Sequence, residues 1–156
     1  MSQYALENFG AYQKAKALFD LVVKDTAGMM KDPRCYRLIA QQVASADSIC
    51  ANIEEGYGRL SRSEYVRFLD FARGSSRETR GRYERMKHWL PTEVVQQRIG
   101  LVDEIIGILT KTMDTLRRDL QKSPSPASCL KEEMEAWGTR EDSSSPGPRH
   151  PTLPTD

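Results

Sequence analysis

Arginine side chains dominate the middle of this sequence, where their number and spacing suit contact with phosphate groups. Residues 59–87 hold nine Lys or Arg against four Asp or Glu. A planar guanidinium group pairs bidentately with phosphate oxygens, and such contacts set much of the non-specific affinity for nucleic acid. The sequence therefore predicts a nucleic-acid-binding surface formed by Arg59, Arg62, Arg73, Arg77, Arg80, Arg82, Arg85 and Lys87. The alternative is a solvated helix face whose charges are partly balanced by Asp70, Glu78 and Glu84.

Catalytic chemistry finds little support in the sequence. The two histidines are His88, beside a tryptophan, and His150, in a proline-rich tail. Neither can be combined into a metal site or into a Ser-His-Asp or Cys-His arrangement. Glu54 and Glu55 are adjacent and would lie about 100° apart on a helix, so they cannot flank one substrate atom as acid and base. We predict no catalytic residue, no metal and no cofactor. Glu55 or Glu64 is expected to have a structural role, either in capping or in an ion pair with Arg59.

The stretch NIEEGYGRLSRSE, residues 52–64, is typical of a corner between two helices. Gly56 and Gly58 stand where a helix needs a residue that tolerates positive φ in order to end. Ser61 and Glu64 follow with the spacing of a capping box, which marks a helix start. The stretch therefore predicts a helix end, a tight connection and a helix start.

The same glycines do not complete a phosphate-binding loop. A dinucleotide fingerprint needs a preceding strand and a third glycine, and a Walker loop needs Gly-Lys-Ser/Thr; neither pattern is present. A simpler anion site remains an alternative. It would consist of the free backbone amides at the start of the next helix together with Arg59 and Arg62. Leu60 is expected to pack on Tyr65 as a hydrophobic staple.

Apolar residues recur with a helical period through residues 9–120, and no segment alternates with period two. Their spacing predicts four amphipathic helices that share one core. The predicted core face of the first helix is Phe9, Tyr12, Ala15, Phe19, Val22 and Met29, and that of the second is Tyr36, Ile39, Val43, Ala46, Cys50, Ile53 and Tyr57. The third presents Tyr65, Leu69, Ala72, Ser76, Thr79, Tyr83, Met86 and Leu90, and the fourth Val95, Ile99, Val102, Ile106, Leu109, Met113, Leu116 and Leu120. The pairs Asp32-Pro33 and Pro91-Thr92 mark the starts of the second and fourth helices.

The end of the chain differs in composition from the rest. Residues 1–122 carry 20 Lys or Arg and 16 Asp or Glu, whereas residues 123–156 carry three and six. Six of the eight prolines also lie in this tail, so it has little to bury and cannot sustain a helix or a sheet. We predict an all-α bundle domain over residues 1–122 and a disordered acidic tail over 123–156. Within the tail, Leu130, Met134 and Trp137 have the spacing of a short docking helix.

Cysteine usage and hydropathy favour a cytoplasmic protein. Cys35, Cys50 and Cys129 are far apart and lack metal or redox spacing, which favours reduced thiols. The first ten residues lack the features of a signal peptide, and the strongly apolar stretch around residues 105–109 is too short to span a membrane. We expect no membrane partner.

A second set of apolar and small residues lies outside the predicted core faces. Phe71 points away from the core of the third helix, and two glycines of that helix stand one heptad apart. Each glycine costs about 1 kcal/mol of helix propensity, which suggests that a neighbouring backbone comes close. These features predict a homo-oligomer whose interface contains Phe71, Gly74, Gly81, Val94, Leu101, Ile105 and Ile108. For the row on the fourth helix, the alternative is a wide core-facing stripe.

Residues 48–78, SICANIEEGYGRLSRSEYVRFLDFARGSSRE, resemble the motif of a bacterial four-helix-bundle family known as 23S rRNA intervening-sequence proteins. In that family Asn-Ile-Ala-Glu-Gly-Tyr-Gly-Arg is followed by Ser-x-x-Glu, Arg-Phe-Leu and a Gly-Ser pair. With the Tyr-Gln-Lys-Ala of residues 12–15, the resemblance covers about residues 8–120. The sequence departs from the family pattern at Glu54, where a small alanine is usual, and in the arginine-rich stretch RETRGRYERMK at 77–87.

The resemblance implies an up-down-up-down bundle that assembles into a ring, often a pentamer. The family name records genes that lie inside insertions of ribosomal RNA genes, and it specifies no activity. A related branch is the accessory variability determinant of diversity-generating retroelements, where a basic bundle ring works beside a reverse transcriptase and its template RNA. The resemblance therefore implies a non-catalytic RNA-binding or ribonucleoprotein assembly subunit, with RNA and a reverse transcriptase as candidate partners. The alternative is a protein-binding scaffold that makes no contact with nucleic acid.

Overall fold

The computed structural model describes residues 6–122 of the chain. In that range the chain forms four long α-helices and no β-strand. In chain order they are α1, Gly10–Ala27; α2, Tyr36–Tyr57; α3, Arg62–Met86; and α4, Thr92–Lys122. The all-α fold predicted from the spacing of apolar residues is confirmed. The predicted disordered tail and its short docking helix lie outside the described residues.

The helices alternate in direction and form an up-down-up-down bundle. The connections between consecutive helices are short, so each helix runs antiparallel to the one before it. Side-chain contacts link each helix to its neighbours around the bundle. They are Tyr12 with Glu54 between α1 and α2, Gln42 with Thr79 between α2 and α3, Arg80 with Asp103 between α3 and α4, and Lys14 with Glu104 between α4 and α1. This is the topology that the family resemblance implied.

The connection between α1 and α2 contains the predicted Asp32 cap, but the cap opens a 3-10 turn, and α2 itself begins later, at Tyr36. Two 3-10 turns, Gly28–Lys31 and Pro33–Cys35, join the helices. The side chain of Asp32 accepts a hydrogen bond from the backbone N–H of Arg34 at 3.0 Å and so caps the second turn. Proline occupies the first position of that turn, where no backbone N–H is required.

The corner between α2 and α3 lies where predicted, but one part of the predicted mechanism is wrong. Ser61 accepts a hydrogen bond from the backbone N–H of Glu64 at 3.1 Å, as the capping spacing predicted. Gly58 ends α2 with φ of −75°, so the expected positive φ is not used. Gly56 is required for packing instead, because a Cβ at this position would lie 2.7 Å from the Cβ of Phe68. The glycine thus allows α2 and α3 to approach closely.

The core faces agree with the predicted spacing but differ from it by one residue at some positions of α1, α2 and α4. The buried residues of α3 match the prediction most closely; they are Val66, Leu69, Ala72, Ser76, Thr79, Tyr83 and Met86. In α2, Tyr36 is exposed whereas Gln42 is fully buried. In α4, Ile105 is fully buried and Ile106 only partly. Both isoleucines continue the helical spacing from Val102, and the packing of the other helices determines which one faces inward.

A buried charged cluster joins three helices. Arg98 of α4 donates two hydrogen bonds to Asp25 of α1, at 2.8 and 3.1 Å, and Tyr83 of α3 donates a third at 3.0 Å. The side chains of Arg98 and Asp25 are 14% and 7% exposed. Burial, followed by the negative charge of Asp25, raises the pKa of Tyr83 well above its ordinary value. Because each charge is matched within the cluster, these residues fix the relative positions of α1, α3 and α4.

Polar side chains also meet between α2 and α3. The Gln42 side chain donates to the backbone carbonyl of Thr79 at 3.3 Å, and the hydroxyls of Thr79 and Ser45 lie 2.9 Å apart. Ser45 in turn donates to the backbone carbonyl of Gln42 at 3.1 Å. These bonds satisfy the amide nitrogen of Gln42 and both hydroxyls, while the Gln42 side-chain oxygen has no hydrogen-bond partner within the described residues. Gln42 and Ser45 were not part of the core face predicted for α2.

Candidate nucleic-acid interface

The predicted cationic residues of α3 divide into two groups according to their ion pairs. Arg73 pairs with Asp70 at 2.6 Å, Arg80 with Glu84 at 2.5 Å and with Asp103 at 2.8 Å, and Arg82 with Glu78 at 3.1 Å. The side chains of Arg73 and Arg82 are only 20% and 14% exposed. Arg80 therefore links α3 to α4, whereas the pairs of Arg73 and Arg82 lie within α3. All three arginines present little free charge to a ligand. For them, the balanced helix face considered as the alternative describes the structure better.

The second group of cations is exposed and unpaired. Arg62, Arg77, Arg85 and Lys87 form no ion pair within the part of the chain that the structure describes. Arg67, which the sequence analysis did not select, shares this exposure. Arg67 and Arg85 lie about five turns apart at 3.6 residues per turn, so both point away from the core in the same direction.

Two aromatic rings and two guanidinium groups meet at the corner of α2 and α3. The rings of Phe68 and Phe71 pack edge to face, with centroids 5.8 Å apart. The guanidinium carbon of Arg59 lies 4.9 Å from the centroid of Phe68, and that of Arg67 lies 5.5 Å from the centroid of Phe71. These distances are typical of cation–π contacts. We call Arg59, Arg67, Phe68 and Phe71 the corner cluster.

Local packing holds the corner cluster in position. Phe68 is half-buried and lies against Gly56, where the absence of a side chain leaves room for it. Arg59 forms the predicted ion pair with Glu55, one turn earlier in the chain, and this pair holds the guanidinium group beside the ring. Phe71 lies one turn further along α3 and is 47% exposed. The cluster therefore has an anchored inner ring and an accessible outer ring.

Leu60 remains in solvent at this corner. The expected staple onto Tyr65 is wrong, because Leu60 is fully exposed. The ring of Tyr65 instead meets Tyr57 edge to face, with centroids 6.3 Å apart. Burial, and to a lesser degree the nearby Tyr57, raises the pKa of Tyr65.

Glu54, which stands where the family pattern usually has alanine, is hydrogen-bonded to Tyr12. Tyr12 donates a hydrogen bond to its carboxylate at 2.7 Å, and this bond raises the pKa of Tyr12 well above its ordinary value. The ammonium group of Lys16 lies 4.7 Å from the centroid of the Tyr12 ring. Burial raises the pKa of the neighbouring Cys50 thiol to about 11, so little thiolate forms at neutral pH. The group links α1 to α2 and holds no activated nucleophile.

The residues predicted for an oligomer interface differ in their exposure. Gly74 is exposed, and a Cβ there would meet no atom within 4 Å; at Gly81 the nearest atom would be the Arg85 guanidinium at 3.6 Å. In α4 the predicted row comprises Val94, Leu101, Ile105 and Ile108. Val94 is partly buried, and Leu101 and Ile108 pack against the core. The assignment of Ile105 to an interface is wrong, because its side chain is fully buried within the protomer. At that position the row belongs to a wide core-facing stripe.

Residues 6–122 contain neither a cluster of metal ligands nor a helix suited to span a membrane. No group of three His, Cys, Asp or Glu in that range is placed to hold a metal ion. Among the same residues, none of the helices has the apolar length that a bilayer crossing requires.

Comparisons with known proteins identify the family. A solved structure from Bacteroides thetaiotaomicron, described as a protein of unknown function from the S23 ribosomal protein family, superposes with a TM-score of 0.62. The two sequences are 20% identical, and the match covers 66% of this chain and 97% of that one, which supports the fold. A comparison with curated proteins found no match. Neither the family description nor that of the solved structure mentions an enzymatic activity. The family model for 23S rRNA-intervening sequence proteins matches residues 7–111, and the chain therefore belongs to that family.

Proposed function

We propose that the protein is a non-catalytic, homo-oligomeric subunit that binds RNA or assembles a ribonucleoprotein in the cytoplasm. The observation that supports this most directly is a row of exposed cations along α3 that form no ion pair with the other described residues: Arg62, Arg67, Arg77 and Arg85, followed by Lys87. The family is named for an intervening sequence of 23S rRNA, which favours RNA as the nucleic acid.

The outer face of α3 keeps its positive charge after the internal ion pairs are taken into account. Asp70, Glu78 and Glu84 are each engaged by an arginine of the same helix. Glu64, in the first turn, is the one carboxylate of α3 outside these pairs. Four arginines of the helix have no ion pair with any residue in 6–122, which leaves three positive charges uncompensated within that range.

The geometry of this row suits a polyanion. At a rise of about 1.5 Å per residue, Arg67 and Arg85 are roughly 27 Å apart along the axis, so one strand can contact several guanidinium groups. Since no carboxylate of residues 6–122 occupies these groups, each can pair with a phosphate in bidentate geometry. A ring of subunits, such as the pentamer that the resemblance implies, would repeat the surface around its circumference.

A narrower form of the proposal makes the protein an accessory factor of a retroelement reverse transcriptase. In that case the bound RNA is the template, and the polymerase is a protein partner. The genes beside this one test the narrower form. A reverse transcriptase gene with paired repeats supports it, whereas a split ribosomal RNA gene supports the ribosomal branch of the family.

A protein-binding scaffold without nucleic-acid contact is the second candidate. The internal pairing of Arg73, Arg80 and Arg82 favours it, because these residues supply structural ion pairs where the sequence predicted phosphate contacts. The fully exposed Leu60 would also suit a protein surface.

Filter binding of RNA across a salt series separates the two candidates. The variant Arg77→Gln with Arg85→Gln removes two unpaired cations and should lower the slope of log K against log salt by about 1.4, at roughly 0.7 per contact with a single strand. The matched control is Lys24→Gln with Lys111→Gln, which makes the same charge change on the exposed surfaces of α1 and α4. Equal slopes in the two variants would locate binding away from α3. Absence of salt-dependent binding to the wild-type protein would favour the scaffold.

A further inference from the structure

We propose that the corner cluster stacks against unpaired bases, so that the RNA bound by this protein is single-stranded at the corner of α2 and α3. The proposal rests on the proposed RNA-binding function and adds the kind of RNA that is recognised. It assigns Phe71 to a base, whereas the sequence pattern had placed it in an oligomer interface.

The cluster presents the two kinds of planar group on which bases stack. Arg67 lies within reach of both rings, with its guanidinium carbon 6.0 Å from the centroid of Phe68 and 5.5 Å from that of Phe71. Bases that leave a duplex stack on aromatic rings and on guanidinium planes in many RNA-binding proteins. A base could therefore extend the existing contacts between rings and guanidinium groups.

Exposure and charge make a nucleotide a better occupant than an apolar peptide. A single exposed phenylalanine is common on protein surfaces and needs no explanation. Phe71, however, is accompanied by Arg67, whose guanidinium group has no carboxylate partner in the described residues. One side chain can thus contact the base and the adjacent phosphate together, and Arg62 adds a second unpaired cation at the start of the same helix.

The same geometry excludes duplex RNA as the ligand of the rings. In a duplex, both faces of each base are covered by its neighbours, so a phenyl ring reaches only an edge. The charged row along α3, by contrast, contacts phosphates and does not depend on strandedness. A preference for single-stranded over duplex RNA is therefore expected from the corner cluster and not from the rest of the surface.

The test compares single-stranded and duplex RNA of equal length, with 2-aminopurine as a stacking probe in the single strand. Phe71→Leu keeps an apolar side chain but removes the ring. It should weaken binding of the single strand roughly tenfold and abolish the change in 2-aminopurine fluorescence, with affinity for the duplex and the salt slope unchanged. The matched control is Tyr36→Leu, which removes a ring of similar exposure (51%) from α2. Urea unfolding of each full-length variant shows whether the fold is retained.

Each outcome decides a separate question. If Phe71→Leu binds the single strand as the wild type does, or if both kinds of RNA bind equally, base stacking is wrong while the proposed function stands. If Phe71→Leu instead lowers the mass measured by light scattering and leaves RNA binding unchanged, Phe71 belongs to a protein interface and the inference is again overturned. If the wild-type protein binds no RNA, the proposed function and the inference fail together.

Discussion

Replacement of Arg98 by methionine should destabilise the bundle severely. Methionine keeps most of the aliphatic length but removes the guanidinium group, so Asp25 loses its counter-charge and two of its three hydrogen bonds. The carboxylate is 7% exposed, and water cannot replace those partners without opening the interface of α1 with α4. Removal of one member of a buried pair typically costs about 3–5 kcal/mol, a large part of the 5–15 kcal/mol that stabilises an ordinary domain.

Urea denaturation followed by circular dichroism measures this loss. The control is Lys14→Met, which breaks an ion pair with Glu104 between the same two helices, where the side chains are 39% and 59% exposed. That change should cost less than about 1 kcal/mol, because solvent screens the exposed pair. The double variant Asp25→Leu with Arg98→Met should recover part of the lost stability, since it removes the unpaired charge but leaves the buried Tyr83 hydroxyl without its acceptor. Equal losses in Arg98→Met and Lys14→Met would refute the reasoning.

Three further substitutions test the packing of the helices and the titration of a core tyrosine. Gly56→Ala should destabilise by about 1–3 kcal/mol, because its Cβ would lie 2.7 Å from that of Phe68 and the helix backbones must separate. In a thermal melt, Gly74→Ala should instead stabilise by about 1 kcal/mol, since open space surrounds it; a loss there would indicate a partner's backbone in an oligomer. The raised pKa of Tyr83 stabilises the fold fully below about pH 10, and this contribution is lost as the pH rises further. Tyr83→Phe should therefore unfold with a weaker pH dependence than the wild type above pH 10, and parallel curves would contradict the assignment.

Helix number and order could be predicted from the sequence because the apolar spacing is unambiguous along most of the chain. The spacing fails where two adjacent positions are both apolar, as at Ile105 and Ile106, since a shift of one residue still leaves an apolar face. It also fails at Gln42 and Ser45, whose burial depends on hydrogen bonds to Thr79 across an interface. Local patterns carry no information about such partners.

The division of the α3 arginines into groups with and without an ion pair in residues 6–122 could be predicted only in part from the sequence. The pair of Arg82 with Glu78 has i,i+4 spacing and could have been identified on the helix itself. The pair of Arg80 with Asp103 could not, because it depends on how α4 packs beside α3. Phe68 and Phe71 have i,i+3 spacing, a signal that the sequence analysis did not use. Their contact with Arg59 required the geometry of the corner.

The arginine-rich stretch that separates this chain from the family pattern therefore has two physical roles. Arg80 and Arg82, at the sides of α3, neutralise carboxylates and contribute to the fold, so their number overstates the charge available to a ligand. Arg77 and Arg85, on the outer face, have no such partner in the described residues and keep their charge. A charge reversal at the sides should thus act mainly on stability, and one on the outer face mainly on RNA affinity. Because the two groups lie on one helix, a count of arginines cannot distinguish them, whereas the ion pairs of the folded protomer can.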